Sequence, residues 1–184
     1  MEPAERAPLV EIAPALTNVT WAPDLVVQSI EPLFVYLAPD GPRHLRPIHA
    51  GSLRLGWRPD QQPGDIVVQA ARRYGLVPLL VHSTSWRFVT ARVVLTYVAA
   101  VERPADLNEN LADEPVVRAD LARGDAFGPP PEIDVAQVLE HAFRHLAWLV
   151  KDDEAVRAAL PDWADLLSTY EPEPFRAFGA PPGA

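Results

Sequence analysis

The chain of 184 residues has no cysteine, one methionine and one lysine, Lys151, among its sixteen cations. Without cysteine there are no disulfides, thiolate nucleophiles, Fe–S clusters or Cys-ligated zinc. No apolar run approaches the roughly 20 residues that span a bilayer, so no membrane partner is expected. The opening MEPAERAPLV lacks a basic stretch followed by an apolar one, and the expected setting is the cytoplasm. A Gly-rich phosphate loop, a dinucleotide fingerprint and a nucleophile elbow are all missing. The near-exclusive use of arginine fits a GC-rich bacterial genome as readily as a function.

What is present describes one globular domain. Apolar residues make up 48% and charged residues 22%, close to the soluble average. The formal charge of −9 is unevenly spread: residues 1–100 carry +1 and residues 101–184 carry −10. Within residues 43–92, eight arginines (Arg43, Arg46, Arg54, Arg58, Arg72, Arg73, Arg87, Arg92) face only Asp60 and Asp65, a local excess of +6. Guanidinium forks match phosphate oxygens in a bidentate way, so this segment points to an anionic small molecule, a nucleotide or phosphate ester. The alternative is docking onto the protein's own acidic second half. Nucleic acid is not expected as a partner, because a chain of pI near 4.9 repels a polyanion.

Twenty-one prolines punctuate the chain. Residues 1–22 read as an N-terminal arm, 23–176 as a single α+β domain and 177–184 as a tail. Strand-like runs occur at LVVQSI and LFVYLAPDGPRHLRPI, where Asp40-Gly41 signals a hairpin, and at Ser52–Trp57. Gly64-Asp65 is a cap candidate for a helix over Ile66–Tyr74, closed by Gly75 in the left-handed position. Two further β runs, Leu76–His82 and Arg92–Glu102, are joined by the polar stretch His82–Arg87. Residues 103–132 read as a long connection with one helical turn near Pro115–Arg123. Helices fill 133–170, the first capped by Asp134. The expected fold is α+β: a mixed sheet, a short helix after the third strand and a C-terminal set of helices.

The segment Trp57-Arg58-Pro59, Pro63-Gly64-Asp65, Ile66–Tyr74 and Gly75-Leu76 resembles the strand–loop–helix of the Nudix hydrolases, with the core at about residues 24–102. In that family the helix ends in Arg-Glu-apolar-x-Glu-Glu-x-Gly-apolar. Aligned on Gly75-Leu76, this chain has Gln69, Arg72 and Arg73 where the family has its metal-binding or catalytic carboxylates. The resemblance therefore implies a Nudix-like sheet without the magnesium-dependent hydrolase chemistry. Magnesium needs oxygen ligands that guanidinium groups cannot provide. No metal or cofactor is expected, and Arg72 and Arg73 are expected to grip an oxyanion directly, pointing into a concavity.

Arg58, Gln69, Arg72, Arg73, His82, Ser83, Ser85, Trp86 and Arg87 are the candidate ligand-binding residues. The polar run His82–Arg87 offers hydroxyls, an imidazole, an indole and a guanidinium that could hold a phosphate and stack a ring. His82 and Ser83, adjacent on a strand, point to opposite faces, which argues against a hydrolytic triad. On the long helix, His141 and His145 are one turn apart, the spacing for a shared metal, and Trp148 continues their line toward a cleft or a second subunit. His82, His141 and His145 are the candidates for acid–base catalysis without metal. Two alternatives therefore stand beside ligand binding: a dimer-forming interaction or regulatory module, and a divergent histidine-dependent enzyme.

Overall fold

The computed structural model describes residues 27–48, 53–58, 60–89, 92–122 and 133–172. The arm at 1–22 and the tail at 177–184 lie outside them. Strand β1 (Val27–Ala38) turns at Asp40-Gly41 into β2 (Gly41–Pro47). Gly41 sits at φ 130, a region only glycine enters easily. The two early strand runs are thus one 12-residue strand with Pro32 inside it. Pro32 is tolerated because its missing N–H falls between the pairs β1 makes with β3 (Ser29 and Ile30) and those it makes with β2 (from Phe34 onward).

The third strand shrinks to β3 (Leu55–Gly56). Helix α1 spans Pro63–Arg73, earlier than expected, because Pro63 enters the first turn without losing a needed N–H. Gly64 and Asp65 therefore lie inside the helix, and Gln62 precedes it without a side-chain cap. Gly75, at φ 76, ends it as expected.

The largest difference is β4, Pro78–Val89. The stretch His82–Arg87 is not a connection but the middle of this strand, and a bulge between Ser83 and Ser85 accommodates it. Strand β5 (Arg92–Val101) pairs antiparallel with β4 and parallel with β1. The connection beyond it holds β6 (Leu111–Pro115) and no described helical turn near 115–122. Arg43 and Arg46 on β2 bind Asp113 and Glu114 on β6, which favours pairing over a local turn. The sheet order is β4-β5-β1-β2-β6, with β3 also on β1.

Helix α2 (Val135–Asp152) starts at Asp134, whose side chain accepts from Gln137 N while Gln137 reaches back to Asp134 N. Helix α3 (Glu154–Ala159) stops before Pro161. A 3-10 turn (Pro161–Trp163) and α4 (Ala164–Ser168) complete the helical segment expected over 133–170.

Alternation along β1 separates two apolar layers. Ile30, Phe34 and Tyr36 join Val67, Ala70 and Ala71 of α1 on one face. Leu33 and Val35 join Leu139, Ala142, Phe143 and Leu146 of α2 on the other. The class is α+β: a mixed sheet with a helix packed on each side.

Candidate functional site

Strand register assigns every candidate on β4 to a face. His82 opposes Val98, Ser85 opposes Thr96 and Arg87 opposes Val94, which places them on the α2 side. Ser83 opposes Tyr97 and Trp86 opposes Leu95, on the α1 side. The polar run therefore does not form one cluster; it is divided between the two faces of the sheet.

On the α2 face, Arg87 is already engaged. Its Nη1 donates to Thr96 Oγ1 at 2.9 Å and its Nη2 donates to Glu31 Oε2. Arg54 reaches the other oxygen of Glu31 at 3.0 Å. Glu31 is only 2% exposed, and a carboxylate so deeply buried needs both cations to offset its desolvation. Burial lowers the Arg54 pKa from its usual value, against the pull of Glu31.

The three histidines meet on the same face. His82 Nε2 and His145 Nε2 lie 3.0 Å apart, with ring centroids 5.0 Å apart and planes 20° apart. Near-parallel rings with their Nε2 atoms at this distance fit one N–H donating to the other ring's lone pair, the direction being set by the tautomers. Burial lowers the His82 pKa, while the charge of Asp153 opposes that shift. His141 Nε2 donates to Thr84 O at 3.2 Å. His141 and His145 thus aim at different partners on β4 and do not converge on a metal. Among the described residues no group of three His, Cys, Asp or Glu side chains could hold one. The helix stripe left open between a cleft and a second subunit turns its two histidines onto β4, and Trp148 packs near His145 at 5.8 Å between centroids.

Gln69, Arg72 and Arg73 are exposed on α1. Their end of the helix is the one where Tyr74 meets Phe34 edge-on at 6.2 Å. Contrary to the expectation that Arg72 and Arg73 point into a concavity, they stand on the exposed face of the helix and line neither a cleft of about 470 Å³ bounded by Leu37, Pro39, Arg103 and Asp162 nor a void of about 10 Å³ beside His44. Arg58 is also exposed, 3.4 Å from Asp60.

The arginine-rich segment is thus partly satisfied from within. Arg43 and Arg46 bind Asp113 and Glu114 of the acidic second half, while Arg54 and Arg87 share Glu31. Glu31, Gln28 and Glu140 escaped the sequence reading. Glu140 had one legible sign, its i,i+4 spacing to Arg144.

No family model matches this chain, and no curated protein matches it. The solution structure of the E. coli ORF135 protein is similar over 50% of this chain and 71% of that chain, at 14% identity and a TM-score of 0.28. Among the described residues no helix is long and apolar enough to cross a membrane.

Proposed function

We propose that the chain is a Nudix-like scaffold that binds a phosphorylated or nucleotide-like small molecule through arginine and without metal. One observation carries this reading. Arg43, Arg46, Arg54 and Arg87 are held by the protein's own carboxylates, whereas Arg72, Arg73 and Arg92 have no described ion pair and Arg58 has only a solvent-exposed one. Arg92 opens β5; Arg58, Arg72 and Arg73 belong to α1 and the loop leading into it, the segment that in the resemblance cradles a metal and a pyrophosphate. The layer order supports the scaffold, with α1 and α2 on opposite faces of a mixed sheet. Exposed guanidinium groups are screened by salt and lack walls, so the rest of the ligand must be held by the sheet face beside them. A cytoplasmic bacterial setting belongs to the same proposal and rests on composition alone.

Thermal unfolding with AMP, ADP, ribose 5-phosphate and inorganic phosphate, with and without magnesium, tests it. A ligand at a hundred times its Kd stabilises by about 2.7 kcal/mol, so a rise of several degrees in EDTA is expected. Arg58→Ala or the double variant Arg72→Ala/Arg73→Ala should reduce it. No response, or a response that needs magnesium, would overturn the proposal.

The hydrogen-bonded His82–His145 pair favours a second reading, acid–base chemistry without metal. Phosphorus NMR of the same nucleotides after incubation should then show product that His82→Gln abolishes. Unchanged substrate, or product that survives the substitution, contradicts it.

A further inference from the structure

The α1 face has a second feature, independent of charge. At the level of Ile30 the register runs Trp86 on β4, Leu95 on β5, Ile30 on β1 and Leu55 on β3. One row outward, Val93 pairs with Gln28. Trp57, one residue beyond the Ser29–Gly56 pair, comes abreast of Gln28. Trp57, Leu55 and Leu95 all pack on the α1-side core, so this whole row faces the same way. Two tryptophans thus flank a floor of Val93, Leu95 and Gln28. Across the sheet their backbones are three strand spacings apart, about 14 Å, and they are two residues out of step along the strands.

Neither flank is spent on the core alone. Trp86 is 58% exposed, although it stands in the body of a strand. Trp57 is fixed by its Nε1, which donates to Gln61 O at 2.9 Å just before α1 begins. Gln28 Oε1 is buried and has no hydrogen-bond partner among the described residues. Folded proteins leave few such atoms unpaired. An exposed indole offers a stacking face, and the orphan amide oxygen, closed to solvent just beneath the floor, meets a ligand N–H once the Gln28 side chain swings outward. A planar heteroaromatic ring carrying N–H or amino groups satisfies both at once.

We infer that Trp86, Gln28 and Trp57 form a ring-binding subsite for a nucleobase. Arg58, next in sequence to Trp57, sets a positive charge at its rim, where a phosphate attached to the base's sugar would emerge. This deepens the reading given under Proposed function and rests on it for the anionic end of the ligand. Strand addition by a second copy fits this edge less well, because the bulges in β4 near Pro78 and Ser83 interrupt an edge-to-edge ladder.

The experiment is a titration of intrinsic tryptophan fluorescence with adenosine, guanosine, cytidine and uridine, alongside AMP and ribose 5-phosphate, in EDTA at physiological salt. At least one uncharged nucleoside is expected to quench the emission saturably, and AMP to bind more tightly than adenosine. Trp86→Ala should weaken binding about tenfold, and Trp86→Phe should restore most of it. Gln28→Leu should weaken nucleoside binding without lowering Tm, since it removes an unpaired buried atom. If ribose 5-phosphate binds and no nucleoside does, the ring subsite is overturned and the arginine reading survives. If nucleosides bind but AMP gains nothing and Arg58→Ala has no effect, the subsite stands and the arginine reading fails. Silence from every probe overturns both. Self-association abolished by Trp86→Ala, with no nucleoside binding, makes the patch a contact between copies and overturns the subsite.

Discussion

Replacing Glu140 by alanine should destabilise the fold more than any surface change. Glu140 is 1% exposed on α2. It accepts from Arg118 Nε at 2.8 Å and Nη2 at 3.0 Å, and from Arg144 Nε at 2.8 Å. Arg118 also donates to Thr169 O and lies 4.0 Å over the Tyr170 ring, so one carboxylate ties the segment after β6 to α2 and to the end of α4. Removing one partner of a buried ion pair costs about 3–5 kcal/mol. The Arg118 side chain is 51% exposed and regains water, whereas that of Arg144 is only 17% exposed; the cost therefore falls at the low end, about 3 kcal/mol. At roughly 2–4 °C per kcal/mol for a chain this size, Tm should drop by about 6–12 °C. Urea unfolding should show a lower midpoint at unchanged slope. Burial alone would raise the Glu140 pKa, but the hydrogen bonds from Arg118 and Arg144 outweigh it and hold the carboxyl below its usual range. A depressed folded pKa gives stability that is complete above the unfolded value and lost as pH falls through the folded one. The gap between wild type and Glu140→Ala should therefore narrow in acid. A loss under about 0.5 kcal/mol at pH 7 would refute this reasoning, because it is the size of an ordinary exposed pair.

Three smaller predictions accompany it. His44 is buried, and burial lowers its pKa to about 4, opposed by Glu114, lowered further by Arg46 and raised slightly by Glu31. The unfolded chain then binds the proton first, so stability should fall as pH drops from about 6.5 toward 4, by about 3 kcal/mol in all; His44→Asn should flatten that limb of a urea-midpoint profile. Gly75→Ala should cost about 1 kcal/mol through backbone strain alone, since an added Cβ meets nothing within 4 Å, and Gly75→Asn should cost less. Asp134→Ala removes the bond from Gln137 N to the Asp134 carboxylate, leaves the bond from its own backbone N–H to Gln137 Oε1, and should lower stability by about 1 kcal/mol, measurable by thermal unfolding followed by circular dichroism.

Much of the fold was readable where a local residue enforces local geometry. Asp40-Gly41, Gly75 and Asp134 each do so, and the structure keeps all three as turn, helix end and cap. His82–Arg87 was misread as a connection because its hydroxyls and charges mask the strand period. Pairing along β5 and a bulge at Ser83–Ser85 make it a strand, and neither is local. The same cause hid the site. His82 and His145 were each singled out, but their 3.0 Å approach exists only once β4 lies under α2. Gln28 sits in an apolar run, and nothing around it in the sequence indicates that its amide oxygen will be buried without a partner. Arg87 looked free because Glu31, 56 residues away, is brought to it only by the sheet.

The measurement that bears most directly on the central claim is an amide and indole NMR titration of the intact protein with AMP in EDTA. The chain has five tryptophans, so the indole N–H region is simple enough to assign by substitution. The account predicts that the Trp57 and Trp86 indole signals shift together with amides of Gln28, Val93 and Leu95, while Trp148 and Trp163 on the α2 side stay in place. Shifts confined to the α2 side, or a spectrum unchanged at millimolar AMP, would contradict it.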